Sequence, residues 1–599
     1  LGYSLAWNIK KEDLLERVLM RIGLGICAFM LLIYVFGVLK IGLNVYYFLA
    51  MSLIVPVYRF FYLLKDNKSF FPKIDLSSFV LRRKHVLLFL LALVFFVTLY
   101  MYMKGSFAYP YLEDGDPYWH ADAATYVSVR QTFVPPQGTT FNYLLPYPPA
   151  YSSFMGVLLQ TNGDVVWTLK FFNALILSLS VLWFFFFARY FTGSGTLALF
   201  STFMLASLPA YLSHFIFAHS LGAGLFAVGL YFVLKSNESN SWILPAIFAI
   251  AGLLVIQATV SVVFGIFSGV LFVGVCVQQR KIAWRTLGCL FSGLVFALGI
   301  FWIPNILASG GFSKIVTSGG GERLWAIGLQ ESSNQYLFSM NDFLITHLDG
   351  GIDTQIGVGL IACILVFFGV LYFIANVILS KKARESLVGD NIWVTVSFIL
   401  LLISFLGIHG GRLPVRLVPI RWWAFFAISF AIFSAYSLSG LLRLVKRDSV
   451  KYFLVAFLIF GVVATSFVSR YSVQTALWPP HVWTSIDELK GYLQVKDTGY
   501  DGILPLCSHD MKLHFIGKRS YLTNPPDYDS GYFTFKGAAF NKSPEDISGF
   551  LHRNNLGYVL VDAACASKFG VNETNAKLVE LSHSLKPVFQ GPAVFLFEV

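Results

Sequence analysis

The sequence predicts a mainly α polytopic membrane protein of about thirteen transmembrane helices, closed by an extracytoplasmic α/β domain. Three observations predict it. Hydrophobic residues make up 56% of the 599 residues and aromatics 17%, with 60 phenylalanines, more apolar surface than a soluble chain of this length hides. Runs of about 20 apolar residues recur, each long enough to cross a hydrocarbon core. The Lys/Arg-rich loops between those runs alternate so that the strongly basic ones all fall on one side, the cytoplasmic one. The net charge of +12 therefore lies in short loops rather than in a patch on a soluble domain, which excludes nucleic acid as a partner.

Residues 1–84 open with the amphipathic LGYSLAWNIKKEDLLERV, which reads as a lead-in lying on the membrane surface. Two spans follow near 19–40 and 43–64, then a basic loop containing Lys65, Lys68, Lys73, Arg82, Arg83 and Lys84. The span over 85–104 carries the chain outward, so residues 105–163 form an outer loop. Within that loop, TFNYLLPYPPAYSSFMGVLLQ is too short and proline-broken to span and reads as a surface or partly inserted helix.

Spans follow near 164–188, 194–211, 218–235, 242–258, 259–278 and 285–304, then a second outer loop over 305–355. Four more, near 356–379, 391–408, 420–442 and 452–469, complete a transmembrane domain over 85–469. Residues 470–599 are left outside. There, SIDELKGYLQ, SPEDISGFLHRNN and NAKLVELSHSL have helical periodicity, while GILPL, YVLVDA and AVFLFEV read as strands. Helix and strand alternate, hence an α/β domain. Cys507 and Cys565 share this region and can pair if it is extracytoplasmic, although spacing does not fix their geometry. Asn541-Lys-Ser and Asn572-Glu-Thr are acceptor patterns for N-glycosylation on the same region.

The chemistry concentrates in Leu112–Val127, LEDGDPYWHADAATYV, which gathers Glu113, Asp114, Asp116, Asp122 and His120 where a span meets water. Asp116 before Pro117 reads as a helix N-cap, with His120 four residues on along the same face. Such carboxylates can hold Mg²⁺ or Mn²⁺ through oxygen, or one can act as a general base; the plain alternative is a solvated loop in which Asp116 only caps. Glu331, in IGLQESSNQYLF of the second outer loop, is placed to fold over the first. His219 opens the span at 218–235, either as a site residue or simply hydrogen-bonded. Arg412, Arg416 and Arg421, in HGGRLPVRLVPIRWW, cluster on the side otherwise poor in basic residues. There they either bind phosphate or snorkel to headgroups.

EDGDPYWHADAATYV after an outward-going span resembles the first outer loop of the GT-C membrane glycosyltransferases, particularly the catalytic subunit of oligosaccharyltransferases and its archaeal single-chain relatives. The resemblance places Asp116 where that family's metal- and acceptor-binding aspartate stands, and Glu331, in LQESSNQ, where its fifth-loop glutamate stands. LPYPPAYSSFMGVLL is similar to the family's horizontal helical stretch. Two motifs depart from the pattern. His219 and Leu221, in AHSLG, occupy the second acidic motif, and LCSHDMK stands where the acceptor-reading WWDYG is expected.

The resemblance implies transfer of a sugar or oligosaccharide from a polyprenyl (dolichyl) phosphate or pyrophosphate donor to a protein or glycan acceptor at the extracytoplasmic face of the cell membrane. Asp116, Asp114 and Glu331 would be catalytic. A divalent cation would sit on Asp116 and Glu331, with His219 and His120 as further ligands, and Arg412, Arg416 and Arg421 would hold the lipid phosphate. The alternative is a non-catalytic subunit of the same fold that scaffolds envelope proteins or binds lipid. A transporter is disfavoured, because the spans carry almost no charge and no internal repeat is visible.

Overall fold

The computed structural model describes residues 1–9, 12–65, 83–112, 115–135, 143–212, 216–308, 337–349, 354–410, 419–477, 484–507, 510–517 and 535–599. They form two compact units. The first comprises residues 1–107, 124–133 and 146–476, and the second comprises 108–123, 134–145 and 477–599.

In the first unit every one of the thirteen apolar runs is helical. The helices are α1 (Leu14–Val38), α2 (Val45–Lys65) and α3 (Arg83–Phe107), then in the connecting segment α4 (Gly115–Arg130), whose residues up to 123 belong to the second unit, and α5 (Ala150–Leu159). Next come α6 (Val165–Thr192), α7 (Gly195–Ser207), α8 (Ala218–Lys235), α9 (Ile243–Leu254), α10 (Ala258–Gln279) and α11 (Trp284–Ala297). Beyond the short paired strands β1 (His347–Asp349) and β2 (Thr354–Ile356) lie α12 (Leu360–Leu379), α13 (Lys381–Val388), α14 (Ile392–Ile408), α15 (Trp422–Leu444) and α16 (Asp448–Val462).

Ten helices among the described residues are long and apolar enough to cross a bilayer, or eleven if α13 and α14, bent by 80°, make one span. The chain is a multi-pass membrane protein. The two remaining runs yield short helices. At 1.5 Å per residue α7 and α9 reach about 18–20 Å, against a hydrocarbon core of about 30 Å. Leu208-Pro209 stops α7, and α9 ends at Leu254, just before Gln257 caps the next helix.

Local chemistry sets the ends. Asp164 caps α6 by accepting from the Trp167 N–H at 2.9 Å, and Gly193 closes it in the left-handed region at φ 69°. Gln257 caps α10 by accepting from the Val260 N–H at 3.0 Å. The interior is built on α8, buried along its whole length, with α6 and α15 beside it. Phe226 of α8 packs against Phe264, Phe267 and Phe425 with ring centroids 4.8–5.6 Å away.

Two stretches differ from the sequence reading. The N-terminal lead-in is tied into the bundle, with Lys235 pairing with Glu12 at 3.3 Å and Arg189 with Asp13 at 3.0 Å. Arg189 also pairs with Glu16, which takes the Tyr231 hydroxyl at 2.9 Å. Helix α5, read as a surface or partly inserted helix, is buried at every position but Leu158, because its small and apolar residues pack on α1 and α6, so the surface alternative falls.

In the second unit a four-stranded sheet runs β3 (Ile503–Pro505), β4 (Tyr558–Asp562), β6 (Val594–Glu598), β5 (Lys586–Gly591) in spatial order, with β3 parallel to β4 and the other pairs antiparallel. Helices α17 (Ile486–Thr498), α18 (Asp510–Phe515), α19 (Pro544–Arg553) and α20 (Val571–Ser584) accompany it. Ser485 and Glu488 form a reciprocal capping box at the head of α17. Leu504, Val559, Ile547, Leu551 and Leu581 share one apolar core, and Cys507 is disulfide-bonded to Cys565 across 5.1 Å between Cα atoms. The α/β expectation holds, with β5 as an unanticipated fourth strand.

Candidate active site

Asp116 lies in the first turn of α4, which begins at Gly115, two residues earlier than an Asp116 N-cap requires. The four-residue spacing sets Asp116 and His120 one turn apart, and Tyr143 joins them. Its hydroxyl donates to Asp116 Oδ1 at 2.5 Å, and its ring stacks on His120 with centroids 3.9 Å apart and planes 19° from parallel. Asp116 is exposed while His120 is only 1% exposed, so the carboxylate faces solvent over a fixed aromatic floor. Asp122, two turns along, has its carboxyl pushed up to about 6 by burial. Glu113, Asp114 and Glu331 lie outside the described residues, as do Arg412 and Arg416.

Elsewhere in the second unit, LCSHDMK makes structural bonds. Cys507 is in the disulfide, and Lys512 pairs with Glu488 at 2.9 Å, both side chains only 4% exposed. Tyr492 donates to Asp562 at 2.7 Å. Burial and the neighbouring Asp562 carboxylate push the Glu488 carboxyl up to about 7, against the lowering pull of Lys512.

The first unit holds the other two described candidates. His219, in the first turn of α8, is 5% exposed and meets the ring of Phe425 edge-on at 5.4 Å. Arg421, which precedes α15, donates to Thr259 Oγ1 at 3.2 Å in the first turn of α10. From that turn an apolar groove of about 740 Å³ runs between α9, α10 and α11, lined by Ser261, Val262, Gly265, Ile266, Phe291 and Trp302 among others. A Cβ on Gly265 or Gly269 would meet nothing within 4 Å, so these glycines leave the groove wall open.

Arg470 escaped the sequence reading. It sits at the apparent end of the last span, yet the helix continues beyond it to Leu477, with one π turn before it and one after, and the side chain is fully buried. It donates to the carbonyls of Ala206 at 2.7 Å and Leu205 at 3.2 Å at the C-terminus of α7, and to the Tyr102 hydroxyl at 2.7 Å. Tyr102 in turn donates to the Leu212 carbonyl at 2.9 Å. This network fixes the chain entering α8, where His219 lies. The detectable signal was a lone arginine in the apolar run GVVATSFVSRYSV.

No family model matches the sequence, and no curated protein is significantly similar to it. Solved structures are more informative. The archaeal oligosaccharyltransferase AglB from Archaeoglobus fulgidus, in complex with an inhibitory peptide and a dolichol-phosphate, superposes with a TM-score of 0.50 at 13% identity, covering 84% of this chain and 72% of its own. The fold is GT-C. ArnT from Cupriavidus metallidurans bound to undecaprenyl phosphate is also similar, with a TM-score of 0.40 at 14% identity over 86% of this chain and 97% of its own. In this GT-C chain His219 and Leu221 stand at the start of α8, both buried. Among the described residues no group of three or more His, Cys, Asp or Glu side chains could hold a metal ion.

Proposed function

We propose that this protein is a membrane glycosyltransferase that moves a sugar or oligosaccharide from a polyprenyl phosphate or pyrophosphate donor to a protein or glycan acceptor at the extracytoplasmic face. The observation that carries the reading is the GT-C fold, matched over 84% of the chain by AglB, a protein solved with dolichol-phosphate and a peptide. The Cys507–Cys565 disulfide supports an oxidising, extracytoplasmic setting for the second unit. Exposed Asn541 and Asn572, each within an acceptor pattern for N-glycosylation, agree with that setting.

In the reaction, a nucleophilic N–H or O–H of the acceptor attacks the anomeric carbon of the sugar. The bond from that carbon to the phosphate oxygen breaks, and the oxygen leaves with the electron pair. Asp116 orients the acceptor and takes its proton. Tyr143 donates to one oxygen of that carboxylate, which fixes its direction. Arg421, with Arg412 and Arg416, neutralises the leaving phosphate, guanidinium geometry matching phosphate oxygens. The isoprenoid chain lies in the apolar groove beside α10.

Mg²⁺ or Mn²⁺ on Asp116 and Glu331, with His219 and His120, belongs to the proposal. The described residues do not by themselves supply three ligands, so no step is routed through the ion. The test is transfer from a radiolabelled polyprenyl-phosphate sugar by purified protein. Wild type should release free polyprenyl phosphate or pyrophosphate, and Arg421→Ala should raise the KM for the donor about tenfold, the worth of one charge-assisted contact. Absence of transfer from every polyprenyl donor, with envelope proteins copurifying, would favour the non-catalytic subunit.

A further inference from the structure

We infer that the apolar groove takes an isoprenoid chain lengthwise along α10, head at the Thr259 end, and that Gly265 and Gly269 determine how much of the chain is seated. The inference rests on the functional reading above and deepens it by naming the positions that read the lipid's length.

The groove follows one stripe of α10. Its lining there includes Ala258, Val262, Gly265 and Gly269, spaced by three or four residues and so on one face of the helix. At 1.5 Å per residue, Gly265 lies about 10 Å and Gly269 about 16 Å along that stripe from Ala258. Phe291 and Leu294 of α11 stand on the facing wall. The groove is open along its side, with Val262 49% and Phe291 66% exposed. Around a membrane-spanning helix those surroundings are hydrocarbon, so a lipid chain can enter sideways without parting the bundle.

The two glycines do not serve close packing. At Gly222 and Gly293 an added Cβ would come within 2.6 Å of Val260 and Ile250, so those glycines let helices approach. At Gly265 and Gly269 it would meet nothing within 4 Å. Glycine inside a helix is less favourable than alanine, and here no described neighbour requires it. What the missing side chains leave is width in the groove beside bare α10 backbone. That width suits a chain carrying methyl branches better than a straight acyl chain.

Charge fixes the head end. Thr259 follows Ala258 in the first turn of α10, and Arg421 donates to its hydroxyl at 3.2 Å. A guanidinium at one end of an apolar groove matches a phosphate at one end of a hydrocarbon chain. The volume of about 740 Å³ is that of a small-ligand pocket, so it seats a stretch of polyprenyl chain, and the reach along α10 sets how long that stretch is.

The test measures binding of a ladder of polyprenyl phosphates, geranyl to undecaprenyl, to wild type, Gly265→Phe and Gly269→Phe in nanodiscs. In wild type, affinity should climb with chain length and level off once the groove is full. Gly269→Phe should level off at a shorter chain and Gly265→Phe at a shorter one still. Each should lose about tenfold for undecaprenyl phosphate and little for geranyl phosphate. Gly265→Ala and Gly269→Ala, whose methyl groups find open space, should keep or raise the thermal midpoint. Phosphatidic acid, similar in head charge but straight-chained, should bind about tenfold more weakly than undecaprenyl phosphate. In wild-type protein, a polyprenyl phosphate with a diazirine in its second isoprene unit should crosslink within residues 258–269, a readout that needs no variant. Affinity independent of chain length, an unchanged profile in both phenylalanine variants, the reverse order of the two, crosslinks confined to other segments, or equal binding of phosphatidic acid would overturn the inference. Failure of wild type to bind any polyprenyl phosphate would instead remove the functional reading itself.

Discussion

The Tyr143 hydroxyl donates to Asp116 Oδ1 at 2.5 Å while its ring stacks on His120. One side chain thus aims the proposed base and covers the imidazole beneath it. Tyr143→Phe keeps the stack and removes only the hydrogen bond. Turnover should fall about tenfold, with the acceptor KM little changed, since the bond orients a group that acts in the transition state. Steady-state kinetics of the purified variant check this, and His120→Ala, which keeps the hydroxyl but removes the ring that Tyr143 stacks on, should lower turnover as well.

Arg470 should be required for stability and for the placement of the chain ahead of His219. Arg470→Met strands the Leu205 and Ala206 carbonyls and the Tyr102 hydroxyl, at an expected cost of about 3 kcal/mol or more. Arg470→Lys keeps the charge but cannot reproduce the fork, so it should recover only part of the loss. Thermal unfolding in detergent, with wild type alongside, measures both.

Gly407→Ala tests the seat of Trp422 from the other side. The new methyl meets the indole at 2.0 Å, so α14 and α15 must part or the ring must shift. The expected destabilisation is about 1–3 kcal/mol, the usual cost of overpacking, and tryptophan fluorescence should change with it.

Lys512 holds a buried carboxylate pair together in the second unit. In wild type the Glu488 carboxyl titrates higher folded than unfolded, because burial and Asp562 raise it. Its protonated form is favoured in the fold, so this contribution is full below about pH 4.5 and fades as pH rises through about 7. Lys512→Met removes the only described cation paired with Glu488. It should destabilise by about 3 kcal/mol at pH 8 and by clearly less at pH 5, where Glu488 is already neutral. Unfolding midpoints across that range decide it; an equal loss at both pH values would contradict the assignment.

Most of the bundle was legible because a span is declared by length and apolarity alone, and α3, α6, α10 and α12 coincide with their runs. Hydropathy does not register where a helix stops inside an apolar run, which is why α7 and α9 are shorter than their windows. It also cannot tell lipid from protein as the apolar surroundings, so α5 reads only as a surface or partly inserted helix although its neighbours bury it. Strand β5, KPVFQG, is a half-exposed edge strand opened by Lys586-Pro587, and edge positions relax the alternation that marks a strand. At the site, Asp116 and His120 were visible as adjacent charged residues. Tyr143 was not, since a tyrosine 27 residues away becomes a partner only through the fold.

The central claim is that Asp116 serves glycosyl transfer from a polyprenyl-phosphate-linked donor. Purified wild type and Asp116→Asn, matched for thermal midpoint, should be given the same labelled donor with envelope extract as acceptor, and the released polyprenyl phosphate counted. Wild type should turn over, and Asp116→Asn should fall at least about a hundredfold while still binding the donor, as expected on losing a catalytic base. Equal release by the two proteins, or none by either, would contradict the claim.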